Sequence, residues 1–108
     1  MSNSRIVNTP SQAIPQSGTI HRQNTVSGTA EFVVDWTLAV DTQHVLVQVN
    51  NADLRVTFDG TTTPTATIGF RYVNGTNAYW TKTMATKAKA IREASTDGVI
   101  EFQELNYL

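Results

Sequence analysis

Two histidines, a few carboxylates and a group of aromatic side chains are the residues whose types could do chemistry in this 108-residue sequence. Spacing decides what each can do. His21 and His44 lie on separate segments and lack the i, i+2 or i, i+4 spacing that sets two imidazoles on one metal ion. Both read as surface or strand-edge residues. Glu31 and Asp35 share the solvent face of a strand at about 13 Å by rise per residue, too far to share a proton or to flank a glycosidic bond. Glu101 and Glu104 fall on opposite strand faces, so both pairs read as solvated charge. Asp53, Asp59 and Asp97 stand in turn sequences, where Asp bonds the local backbone, and calcium is not expected there. The chain has no cysteine nucleophile, no Gly-x-Ser-x-Gly elbow and no glycine loop opening a helix to cradle phosphate. No catalytic, cofactor-binding or metal-ligating residue is expected, and the chain reads as a non-enzyme.

The aromatic residues leave more room. Tyr72, Tyr79 and Trp80 cluster around Asn74-Gly75, where they could pack within the domain, anchor a protein interface or stack on a sugar ring. Trp36 fits the inward face of a strand. Asn74-Gly75-Thr76 matches a glycosylation acceptor, but without a secretory signal it reads only as a turn.

The elements that position these residues are strands. Leu54, Val56 and Phe58 alternate with Arg55, Thr57 and Asp59, the period of a half-buried strand. Asp59-Gly60 breaks it, Pro64 belongs to the connection, and a second strand runs from about Thr67 to Val73. Upstream, Phe32, Val34, Trp36, Leu38 and Val40 alternate through Glu31 to Val40 and predict an apolar face about 30 Å long. Asp41-Thr42-Gln43 then turns the chain into a strand from His44 to Val49, which reads as a hairpin. Asn74-Gly75 signals a second hairpin with a primed turn, returning through Asn77 to Thr83. Residues 84 to 94 read as a strand, with one helical turn as the alternative, because Met84, Ala88 and Ile91 make only a thin helical stripe. Ser95 to Gly98 is another hairpin turn and Val99 to Leu105 a last strand. Seven to eight short strands at about ten-residue spacing predict an all-β antiparallel β-sandwich, immunoglobulin-like or jelly-roll-like.

Residues 1 to 29 are rich in Ser, Thr, Asn and Gln, with few apolar anchors. They read as an extended N-terminal arm, disordered, laid across a neighbouring subunit, or joined to the domain as an edge strand. Ile6, Val7 and Ile14 are its candidate contacts with a partner surface or adjacent subunit, and residues 30 to 108 form the sandwich domain. Net charge is −1 and the basic residues are scattered apart from Lys82, Lys87, Lys89 and Arg92, which argues against a nucleic-acid partner. No stretch approaches the roughly twenty apolar residues of a membrane-spanning helix, and the first thirty residues hold no apolar run of signal-peptide length. The chain reads as made inside the cell.

The stretches LRVTFDGTTTPTATIGF and AIREASTDGVIEFQELNY resemble a small protein often encoded among the virion genes of tailed bacteriophages. In that family a strand, Asp-Gly-Thr-x-Pro-Thr and a Gly precede a terminal Ile-Arg-x-x-Ser-Thr-Asp-Gly turn and a last strand. The match runs from about Leu54 to Tyr107. It departs by one additional Thr among Thr61 to Thr63, and by Asn77-Ala78-Tyr79-Trp80 where an apolar, glycine-containing segment is more usual. The resemblance implies a β-sandwich structural protein of the virion, made in the host bacterial cytoplasm. Its expected role is capsid decoration or cement, with the major capsid protein or another virion protein as partner and a trimer or dimer as its own state. Tail, neck or head-fibre placement is the alternative. Val56 to Thr65 and Lys89-Ala90-Ile91 also resemble the immunoglobulin-like module at the end of some chitobiases, which would imply carbohydrate-binding adhesion.

Overall fold

A computed structural model describes residues 13 to 107. Its strands are β1 (Ala13–Pro15), β2 (Arg22–Val26), β3 (Glu31–Phe32), β4 (His44–Asn50), β5 (Leu54–Thr57), β6 (Phe70–Tyr72), β7 (Asn77–Thr81), β8 (Lys89–Arg92) and β9 (Gly98–Tyr107), with one short helix, α1 (Lys82–Lys87). Two antiparallel sheets pack face to face, the β-sandwich that the strand spacing predicts.

The longest strand, β9, organises the first sheet. One of its edges pairs with β4 from Val99↔Asn50 to Leu105↔His44, and β7 pairs on the far side of β4. The other edge takes β2 opposite Gly98 to Phe102 and β1 opposite Leu105 to Tyr107. The second sheet runs β3-β8-β5-β6. Between the sheets Val45, Val47, Val49, Leu54, Val56, Trp80, Ala90, Ile100 and Phe102 are buried. Period-two alternation of valines along β4 supplies one wall of this core, so the hydrophobic term that drives folding is concentrated there. The sheets approach so closely at Gly98 that a Cβ there would stand 2.5 Å from Leu54 Cδ2. Only glycine fits.

Several expectations change. Glu31 to Val40 is not one strand: Glu31 and Phe32 pair with β8, the Val33 N–H donates to Ala88 O at 3.1 Å, and residues 34 to 43 leave the sheet. Val33 and Leu38 are buried while Val40 is 88% exposed, so the expected inward face is not kept. The cause is a competing set of polar partners, described below. Consequently the hairpin expected with β4 does not form, and β3 and β4 belong to different sheets. Residues 84 to 94 divide. Thr81 caps α1 by accepting the Met84 N–H at 3.1 Å, Ala85 is buried, and the chain straightens into β8. The strand expected from Thr67 is confined to Phe70–Tyr72, since Thr65 and Ile68 bond each other across a tight turn. At Asn74-Gly75 only Gly75 takes a left-handed φ, +92°, and Thr76 N–H donates to Val73 O. One positive φ at the third position is the pattern of a type II turn, not a primed one, and no hairpin closes at Asn74-Gly75 or at Ser95 to Gly98, because β6 and β7, like β8 and β9, pair in different sheets. Residues 13 to 26, expected within the arm, add β1 and β2 to β9, and Val26 is 5% exposed in the core.

A candidate binding face around the β6–β7 turn

Strands β6 and β7 are the edges of their respective sheets on the same side of the sandwich. Phe58, Tyr72 and Trp80 close that side between the layers. Trp80 lies edge-on to Phe58 at 5.3 Å and to Tyr72 at 6.0 Å between ring centroids, and its Nε1–H donates to the Tyr72 hydroxyl at 3.1 Å. Outside this closure, residues 68 to 79 around the β6–β7 turn carry Ile68, Phe70, Val73 and Tyr79, each at least 43% exposed. These are four of the seven large exposed apolar residues among the described residues, within twelve positions of the chain. Such concentration marks an interaction surface more than scattered single residues would. Beside it a groove of about 570 Å³ is lined by Val56, Thr57, Phe58, Asp59, Thr62, Gly69 and Phe70.

Polar groups fix both ends of this face. At the turn end, Arg71 bonds Asp53 and Glu93 at 2.9 Å each, Arg55 bonds Glu93 at 3.0 Å, and Asp53 accepts the Asn74 N–H at 2.8 Å. The hydrogen bond from Arg71, with the nearby charges of Arg71 and Arg55, holds the Glu93 carboxyl below its ordinary range. The same bond to Glu93 raises Arg71 further. At the groove end, Asp59 accepts from the Thr62 hydroxyl, the Thr62 N–H and the Thr61 N–H, which lower its pKa to about 2. These carboxylates are occupied in building turns.

Of the residues singled out in the sequence, Tyr72 is half-buried, Trp80 is 1% exposed in the core and Tyr79 is 63% exposed on the opposite face of β7. Tyr79 and Trp80 therefore form no shared platform. Ile6 and Val7 lie outside the described residues, while Ile14 is half-buried on β1 opposite Asn106. The histidines are far apart in the fold: His21 Nε2 lies 2.9 Å from Glu101 Oε1, and His44 Nδ1 lies 2.9 Å from the Tyr107 hydroxyl. No cluster of three His, Cys, Asp or Glu side chains suited to a metal occurs among the described residues. No helix among them is long and apolar enough to cross a membrane.

No family model, curated protein or solved structure matches this chain.

Sequence reasoning missed Ile68 and Phe70, because a strand starting at Thr67 would have paired both. It also misread Glu104 as solvated charge. That carboxylate is 4% exposed and accepts hydrogen bonds from Trp36 Nε1 at 3.1 Å, Ala39 N at 2.8 Å and Thr42 Oγ1 at 2.7 Å. Burial pushes its pKa up, but these three donors and the charge of Arg22 outweigh burial and leave it below the ordinary carboxylate range. This buried acceptor draws residues 36 to 42 away from the sheet and accounts for the broken strand after Phe32. Its signal in the sequence was the inward parity of Glu104 with Ile100 and Phe102.

Proposed function

We propose that this chain is a non-enzymatic structural protein of a tailed-bacteriophage particle, a decoration or cement protein that binds the outer capsid surface and stabilises the head. The observation that carries the assembly reading is the exposure of Ile68, Phe70, Val73 and Tyr79 within twelve positions around the β6–β7 turn, on a two-sheet body. Such a surface gains free energy when a protein partner covers it. The resemblance from Leu54 to Tyr107 supplies the particle. In this reading the partner on the shell is the major capsid protein or another virion protein, contacted by the N-terminal segment through Ile6 and Val7, and the copies associate as a dimer or trimer. The protein is made in the host bacterial cytoplasm and ends in the virion, with no nucleic acid, membrane or cofactor involved.

The glycan-binding alternative is weaker, because Trp80 is buried and Tyr79 stands alone. Sedimentation with expanded particles lacking this protein, at physiological salt, tests the proposal. Stoichiometric co-sedimentation is expected; protein left wholly in the supernatant refutes capsid decoration. Deleting residues 1 to 29 is not a clean test of the arm, since it removes β1 and β2. Deleting residues 1 to 12 leaves every described strand in place and should abolish binding.

A further inference from the structure

The strand β7 ends its sheet, and its backbone is half used. Val49 N–H donates to Thr76 O at 2.9 Å and Lys82 N–H donates to Gln43 O at 3.1 Å, which sets the phase of the ladder with β4. Because antiparallel bonding alternates, Ala78 and Trp80 also face β4, and Asn77 and Tyr79 turn their N–H and C=O groups outward. No backbone group among the described residues meets them. Open edges are normally blunted by charge, proline, a bulge or shortness. Asn77-Ala78-Tyr79-Trp80-Thr81 has no charge and no proline, and pairs with β4 without a bulge over five residues. The other edges are protected: β3 has two residues, β6 carries Arg71, and the β1–β2 edge carries Pro15 and Arg22.

We propose that a second copy of this chain covers this edge, its β7 pairing antiparallel with the first about a two-fold axis at Ala78. In that register Asn77 of each copy opposes Tyr79 of the other. Each of these two pairs exchanges two hydrogen bonds, so every outward group of Asn77 and Tyr79 finds a partner. Ala78 meets its own copy at the non-bonded position, where Cα atoms approach to about 4.5 Å and a methyl side chain fits. Charge does not oppose the register. Residues 77 to 81 carry no charge, so no like charges oppose along the strand, and Lys82 just beyond it is held within its own copy by Ala39 O and Val40 O. The arrangement is isologous and closes at two copies. It also places the exposed Phe70 and Ile68 of the adjoining edge on the covered side. This deepens the assembly reading by naming the partner of that face, yet it is tested on the protein alone.

The test is sedimentation velocity of the full chain across about 1 to 100 μM, with three partners in the comparison: wild type, N77K/Y79K and N77E/Y79E. Both positions are exposed, so folding is checked by an unchanged thermal melt. Wild type should be a dimer. Each double variant opposes like charges at both pairs and should raise the dissociation midpoint roughly tenfold or more. An equimolar mixture of the two variants should recover the dimer, since Lys then opposes Glu at every pair. A monomeric or trimeric wild type, an undiminished lysine variant, or a mixture that stays monomeric would each overturn the proposal. Particle co-sedimentation of the folded lysine variant reports separately on capsid binding.

Discussion

Glu104→Ala should be among the most damaging substitutions in the molecule, although the residue looks from its type like an ordinary surface acid. The substitution removes the acceptor of three donors at once: Trp36 Nε1, Ala39 N and Thr42 Oγ1. Hydrogen bonds to a charged group contribute roughly 1.5 to 3 kcal/mol each, and stranding a buried donor costs about 1 to 3 kcal/mol. Thr42 is 3% exposed and cannot rehydrate in place, whereas Trp36 and Ala39 are partly open to solvent and recover some bonding to water. A loss of about 3 to 5 kcal/mol follows, a large part of the roughly 5 to 15 kcal/mol of a typical domain. Urea unfolding followed by circular dichroism measures it, and tryptophan emission in native buffer reports the loosened Trp36. Glu104→Gln keeps the volume and one good acceptor and should cost about 1 to 2 kcal/mol. The pH dependence carries a second signature. The folded pKa is depressed, so the Glu104 contribution is present above its ordinary value of 4.5 and is lost as pH falls through the lower folded value. Glu104→Gln should flatten that acid limb. A loss below about 1 kcal/mol for Glu104→Ala would refute the claim that this carboxylate holds residues 36 to 42 in place.

Other expectations follow from the same packing. Gly98→Ala forces a methyl against Leu54 and should destabilise by about 1 to 3 kcal/mol in urea titration, with partial recovery in Gly98→Ala/Leu54→Val. Tyr72→Phe leaves Trp80 Nε1–H without its acceptor and should cost about 1 to 2 kcal/mol, while Tyr79→Ala should stay within about 0.5 kcal/mol. Equal effects at Tyr72 and Tyr79 would contradict the division between closure and surface. The Asp59 carboxyl should titrate near pH 2 by NMR, so its stabilising contribution persists above its ordinary value of 3.8 and vanishes only as pH falls toward about 2. Thr62→Val should raise that midpoint.

The class of fold was legible because alternation is a local property of strands facing one core: Val45, Val47 and Val49, and Ile100 with Phe102, keep the faces their spacing predicts. Alternation failed at Glu31 to Val40 because a distant side chain decides that segment. Nothing within it announces that Glu104 will compete for the backbone of Ala39 and the side chains of Trp36 and Thr42. The helix was half hidden for a similar reason, since Thr81 as a cap matters only once Ala85 has a core to enter. Of the candidate aromatic site, the turn at Asn74-Gly75 was legible in the sequence, but not that it crosses between sheets, nor that Trp80 lies inside and Tyr79 outside. Neighbours in a strand face opposite ways, yet which face is the core depends on strand partners far along the chain. Phe70 escaped notice because edge position is a property of topology, not of composition.

The place of β9 at the centre of its sheet has a consequence for synthesis. It is the last strand described to leave the ribosome, yet β1, β2 and β4 all pair with it. Until residues 98 to 107 emerge, the two N-terminal strands have no ladder to join and the valine face of β4 has lost the Ile100 and Phe102 side of its cover. Translation at about 5 to 20 residues per second thus delivers the partner seconds after the earliest strands. Tethered nascent chains ending before Gly98 should stay protease-sensitive however long the tether, and chains extended through Tyr107 should become resistant together across residues 13 to 107. That outcome would make completion of this fold a late event set by β9.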